Sequence, residues 1–204
     1  MRTFTFHLDF VSPYAYLAFE QLPQALEGVS YAVEHRPVLL GAILKQLGHA
    51  GPHGIAPKYD WVLRQTRWLA HAHGIPLRMP AAHPFDPLPL LRLALACSDD
   101  GAVSRHVAAS VFRHVWQADG DVPRDPNDAD RLAALSAALS PRHDPAGPEV
   151  KAMLRGNTAA AIDAGVFGVP GFTVGREVLW GFDALPMLRA RLLGDPWFGP
   201  DSES

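Results

Sequence analysis

The residue whose type and place most invite chemistry is Ser12, in the stretch HLDFVSPYAYLAFEQL, His7 to Leu22. A Ser followed by Pro is how a helix begins: the hydroxyl satisfies an orphan backbone N–H, and Pro at the first helical position gives up no hydrogen bond. One reading is therefore a plain cap. The other is that a hydroxyl at a helix start, where the dipole places about half a positive charge, helps hold an anion such as a thiolate. A Ser-His-Asp reading has little behind it, because no Gly-x-Ser-x-Gly elbow occurs and no particular histidine is paired with Ser12. Cys97, the single cysteine, lies on the apolar face of a helical pattern and reads as a packed thiol. Of the ten histidines, His49 with His53 and His71 with His73 are closely spaced. Neither pair has a third ligand at a familiar interval, so no metal site is expected.

The elements that must position Ser12 can be read on either side of it. Phe4, Phe6, Leu8 and Phe10 alternate as a strand with one buried face, and Pro13 to Leu26 has helical spacing closed by Glu27-Gly28. A second strand runs from Val29 to about Val38, so the chain opens β-α-β with two parallel strands. The middle reads as helices: Ala42–Leu47, Pro57–His73, Leu88–Ser98, Ser104 to 118, Asp128–Leu139 and Glu149–Ala164. The end returns to sheet, with Phe172–Val174 and Glu177–Trp180 as a hairpin around Gly175-Arg176, and then a closing helix capped by Asp183. The Pro-rich tail is expected to fray. An order of β-α-β, helical block, β-β-α predicts one sheet made from both chain ends with the helices inserted. Active sites of such sheets gather at the carboxyl ends of the parallel strands, where Ser12 stands.

At 204 residues the chain can bury roughly 70% of its unfolded surface, and 48% hydrophobic with 19% charged residues is an ordinary globular composition. Net charge is −3, with acids and bases interspersed, which leaves no footprint for nucleic acid. No uncharged apolar run is long enough to cross a bilayer, and the opening Met-Arg-Thr-Phe carries no signal-like core. With one cysteine, no internal disulfide can form. A cytoplasmic protein that binds neither membrane nor nucleic acid is expected.

DFVSPYAYLA, RPVLLGAILKQLG and GVFGVPGFTVGREVLWGFDALPMLRARL together resemble the 2-hydroxychromene-2-carboxylate isomerases and kappa-class glutathione transferases, a DsbA-related branch of the thioredoxin-like proteins. The likeness runs in order over most of the chain. Where the oxidoreductase relatives carry Cys-Pro-x-Cys, this chain has Ser12, Pro13, Tyr14 and Ala15, so dithiol–disulfide chemistry is impossible. The resemblance implies that the sulfur arrives with glutathione, held as a thiolate at Ser12 and Pro13. It implies a cis Val169-Pro170 bond, with Val169 clamping the cysteinyl backbone, and Asp183 near the γ-glutamyl ammonium. Lys58 matches a lysine able to pair with a carboxylate of glutathione or substrate, and His49 takes a position where relatives carry Asn. Gln65, Trp68 and Ala184 depart from the family's usual Asp, Arg and Arg.

The expected architecture is α/β: a thioredoxin-like domain of residues 1–40 and 165–204 with an inserted all-helical domain of residues 41–164, forming a homodimer. The resemblance implies a glutathione-dependent isomerase of aromatic breakdown, in which the glutathione thiolate adds reversibly to a small aromatic-derived substrate, a bond is freed to rotate, and glutathione leaves unchanged. A kappa-like transferase or peroxidase, which would consume glutathione, is the alternative among enzymes. A non-catalytic thioredoxin-like binding protein is the alternative outside them.

Overall fold

The computed structural model describes residues 1–48, 51–117 and 122–199. Strand β1 (Arg2–Leu8) buries Phe4, Phe6 and Leu8, and Phe10 is equally buried in the turn beyond the strand's end. Helix α1 (Pro13–Ala25) follows, and β2 (Tyr31–Pro37) returns parallel to β1 with Phe6 opposite His35. Then come α2 (Leu40–Gln46), α3 (Ala56–Ala72), α4 (Leu88–Leu95), α5 (Arg105–Trp116), α6 (Ala129–Leu139) and α7 (Pro148–Asp163). The hairpin β3 (Gly171–Val174) and β4 (Glu177–Trp180) and the closing helix α8 (Leu185–Leu193) complete the chain.

The sheet order is β2-β1-β3-β4, with β3 antiparallel to both β1 and β4. Sequence-adjacent pairs are joined by local connections, and the distant β3 is drawn to β1 because Phe172 packs its ring 4.9 Å from Phe6 at the heart of the core. One continuous apolar cluster runs from these strands through α1 into the helical block, where Phe112 lies 5.2 Å from Phe19 and 4.9 Å from Phe10. Among the described residues no helix is long and apolar enough to cross a membrane.

Element boundaries shift where side chains from elsewhere intervene. Helix α2 starts at Leu40 rather than Ala42 because the Asp9 carboxylate accepts the Leu40 N–H at 2.9 Å and Thr158 Oγ1 accepts that of Leu39 at 3.0 Å. Helix α4 stops at Leu95, short of Ser98, whose hydroxyl instead donates to the Ala102 carbonyl and accepts the Gly101 N–H. Strand β2 opens two residues later than its composition suggests, since Val29 N–H still bonds the Leu26 carbonyl in the turn leaving α1.

Candidate active site

Ser12 caps α1: its backbone is extended (φ −87°, ψ 115°) and its Oγ accepts the Ala15 N–H at 3.2 Å. Ser12 is 6% exposed, and its hydroxyl hydrogen goes across the molecule to the Val169 carbonyl at 3.3 Å. Two segments 157 residues apart in sequence thus meet at one hydroxyl. The Val169–Pro170 peptide is cis, and Gly181 N–H donates to the Pro170 carbonyl, which fixes the start of β3 against the end of β4. Pro13 is buried as the first helical residue.

Tyr14 stands beside this pair, its hydroxyl donating to Gln65 Oε1 on α3 at 2.6 Å. Burial holds the phenol above its usual range; the nearby Thr66 hydroxyl opposes this and the Asp183 charge adds to it. Thr66 is fully buried, and its Oγ1 makes no hydrogen bond of full geometry among the described residues. Lys58, seven residues before Gln65, shares its face of α3 about 10 Å further along the axis. It is exposed and makes no ion pair among the described residues.

Asp183 is not the side-chain cap of the last helix. It lies inside a 3-10 turn, Phe182–Ala184, and α8 opens behind Ala184 with no side-chain cap. The reason is Gly181, whose φ of +101° folds the chain so that Asp183 Oδ1 comes close enough to clash with a Cβ on Gly181. The carboxylate is thereby turned outward, exposed, beside Tyr14. His49 lies outside the described residues. Ser12 and Pro13 meet Val169 and Pro170 through the Ser12 hydroxyl, and Asp183 lies on the Tyr14 side of that group, while Lys58 is further away along α3 with no contact to it among the described residues. Among the described residues no group of three or more His, Cys, Asp or Glu could hold a metal ion. Cys97 is half-buried on α4's extension, its Sγ 3.5 Å from the Leu93 carbonyl, and burial pushes its thiol up.

Asp9 and His83 had no warning in sequence spacing. Asp9 is completely buried three residues before Ser12, its carboxylate bonded to Val11 N–H (3.1 Å) and Leu40 N–H (2.9 Å). Burial pushes its carboxyl up to about 7, with those N–H groups opposing. His83 holds the Val11 carbonyl at 2.8 Å. The one sequence signal was a charged residue at the end of an apolar strand.

The sequence matches the DSBA-like thioredoxin domain over residues 3–193. The chain belongs to that family. It is similar to the 2-hydroxychromene-2-carboxylate isomerase of Sphingobium xenophagum, 26% identical over 94% of this chain and 98% of that one. It is similar at 28% identity to human glutathione S-transferase kappa 1, over 98% of this chain and 94% of the relative. A solved 2-hydroxychromene-2-carboxylate isomerase superposes with a TM-score of 0.78 at 25% identity, covering 99% of this chain and 100% of the other. Family membership accounts for the mixed sheet and the helical block.

Proposed function

We propose that the protein is a glutathione-dependent isomerase of the 2-hydroxychromene-2-carboxylate type. The observation that carries the reading is Ser12 Oγ, buried at the start of α1 and bonded to the Val169 carbonyl. The side chains around it fit a small peptide with a thiol, an ammonium and carboxylates. The hydroxyl and helix start suit the sulfur, the Val169 backbone suits the peptide, the exposed Asp183 carboxylate suits the ammonium, and Lys58 suits a carboxylate. When bound, glutathione supplies a thiolate able to add reversibly to a conjugated, aromatic-derived substrate.

Ser12 acts by donating its hydrogen to the sulfur, which requires the hydroxyl to turn from Val169. At 3.3 Å that bond is long, so the exchange costs little. Its lone pair stays on the Ala15 N–H, so the cap survives the turn. A donor and a helix start both favour the ionised over the protonated thiol, which is the requirement for a nucleophile at neutral pH. The stripe of Trp61 and Trp68 on α3 offers the apolar surface for the substrate ring. The same reading carries a cytoplasmic homodimer, residues 1–40 and 165–204 as its thioredoxin-like unit, 41–164 as a helical one.

Calorimetric titration with glutathione from about pH 6 to 9, on the wild type and on Ser12→Ala, tests the reading. Binding accompanied by proton release near neutral pH, with the release lost in Ser12→Ala, is the expected result. No binding by the folded wild type overturns it. The kappa transferases are as similar in sequence as the isomerases, so turnover stoichiometry is the second measurement. Glutathione consumed one for one with substrate replaces the isomerase with a transferase.

A further inference from the structure

The turn that carries Ser12 is held from behind by side chains that the proposed chemistry does not use. His83 Nε2 lies 2.8 Å from the Val11 carbonyl, and His83 Nδ1 lies 2.8 Å from the Tyr59 hydroxyl. A carbonyl only accepts, so Nε2 carries the hydrogen. In the neutral ring Nδ1 is then an acceptor, and Tyr59 is the donor that faces it. The same hydroxyl meets the His83 carbonyl, so its one hydrogen serves two acceptors of one residue. The imidazole stacks within 4° of parallel on Tyr59 and meets Trp116 edge-on at 5.6 Å. The Trp116 indole in turn donates to the Phe10 carbonyl at 3.0 Å.

The consequence falls on one peptide group. Its oxygen, Val11 O, is held by His83, and its N–H, that of Ser12, donates to the Asp9 carbonyl at 3.1 Å. With both polar atoms fixed, the plane entering Ser12 cannot rotate, and the direction of the Ser12 hydroxyl follows from it. Tyr59 is in the first turn of α3, next to Lys58, so the same contact ties the start of that helix to the start of α1. We infer that His83, backed by Tyr59, is a positioning residue for Ser12: it holds the Val11 carbonyl and so aims the hydroxyl at the thiol position. The aim at a thiol rests on the glutathione reading; the holding of the turn does not.

Two readouts separate these. On the ligand-free protein, hydrogen exchange in peptides covering residues 9–16 is expected to quicken about tenfold in His83→Leu and to return towards wild type in His83→Gln, whose amide N–H can replace Nε2–H. Tyr59→Phe keeps the ring stack and removes only the hydroxyl, so a smaller quickening confined to the same residues is expected. If His83→Leu loosens the whole chain, Tyr59→Phe and His83→Gln carry the test. Unchanged exchange at residues 9–16 in both His83→Leu and Tyr59→Phe overturns the inference. With glutathione bound, ultraviolet titration of the thiolate is expected to show the thiol pKa raised by about one unit in His83→Leu, a tenfold fall in the ionisation constant, and recovery in His83→Gln. A thiol pKa equal in wild type and His83→Leu overturns the aim at the sulfur. Absence of glutathione binding by the wild type removes the proposed function and leaves the exchange result to decide the positioning role.

Discussion

Both hydrogen-bonding capacities of the Ser12 hydroxyl are used within the protein, the lone pair on Ala15 N–H and the hydrogen on the Val169 carbonyl. Its removal therefore has two separable effects. Ser12→Ala loses a helix cap, which lowers stability by about 1 kcal/mol in urea unfolding, and loses the donor that would meet a sulfur. Asp9 behind it is more deeply committed. Its carboxylate takes two N–H groups from different segments, Val11 and Leu40, with no exposure to water. Asp9→Ala orphans both donors, and at about 1–3 kcal/mol for each buried unsatisfied group the loss is expected to be roughly 2–6 kcal/mol. Urea midpoints at constant m-value measure it. A loss under about 1 kcal/mol would mean that water replaces the carboxylate and that the turn is not as closed as it looks.

At the scale of elements, α3 is the unusual one. Lys58, Trp61, Gln65 and Trp68 fall at spacings of three, four and three, which puts them within roughly 80° on one face. Gln65 anchors that face to Tyr14, while Trp61 is 56% and Trp68 63% exposed. Trp61→Ala and Trp68→Ala are expected to raise KM for an aromatic substrate about three- to tenfold, the scale of one lost aromatic contact, and to leave glutathione affinity within about twofold. Lys58→Ala is expected to do the reverse. Steady-state kinetics with each ligand varied in turn reads both. Such faces are legible from sequence because helical spacing is local, as are the Ser12-Pro13 start and the hairpin around Gly175, whose φ is +59°. Asp183 was misread as a cap because the positive φ of Gly181 inserts a 3-10 turn that spacing alone does not reveal. Asp9 and His83 were illegible for another reason: their partners Leu40 and Val11 are 31 and 72 residues away, and only the folded chain brings them together.

Over the whole molecule, the same burial that builds the core fixes how stability responds to pH. His7 and His35 sit in β1 and β2 at 5% and 3% exposure, and among the described residues each leaves one ring nitrogen without a partner, Nδ1 of His7 and Nε2 of His35. A proton added there would meet no acceptor among the described residues. Burial first, and then the charges of Arg36 beside His7 and Arg105 beside His35, pull both down to about 4 from 6.5. Between pH 4 and 6.5 the unfolded chain thus holds about two protons that the folded one lacks. Their contribution is full above pH 6.5 and is lost as the pH falls towards 4. Asp9 works in the opposite sense: raised from 3.8 to about 7, it keeps a proton in the folded state that the unfolded chain has released, so its contribution is lost as pH rises through that window. Two protons against one leave a net uptake of about one on unfolding, and stability from these groups falls by roughly 1.4 kcal/mol per pH unit below 6.5. His83 and His114, also held down mainly by burial, add in the same direction as the core histidines. Above pH 6.5 the unfolded imidazoles lose their remaining protons and Asp9 comes to outweigh them, so the maximum is expected between about pH 6.5 and 7. Urea midpoints at half-unit steps from pH 4.5 to 7.5 should trace that maximum. Asp9→Asn, which removes the opposing carboxyl, should steepen the acid limb towards two protons and flatten the neutral side. An acid limb of unchanged slope in Asp9→Asn would show that Asp9 is ionised in the fold and that its two N–H partners outweigh its burial.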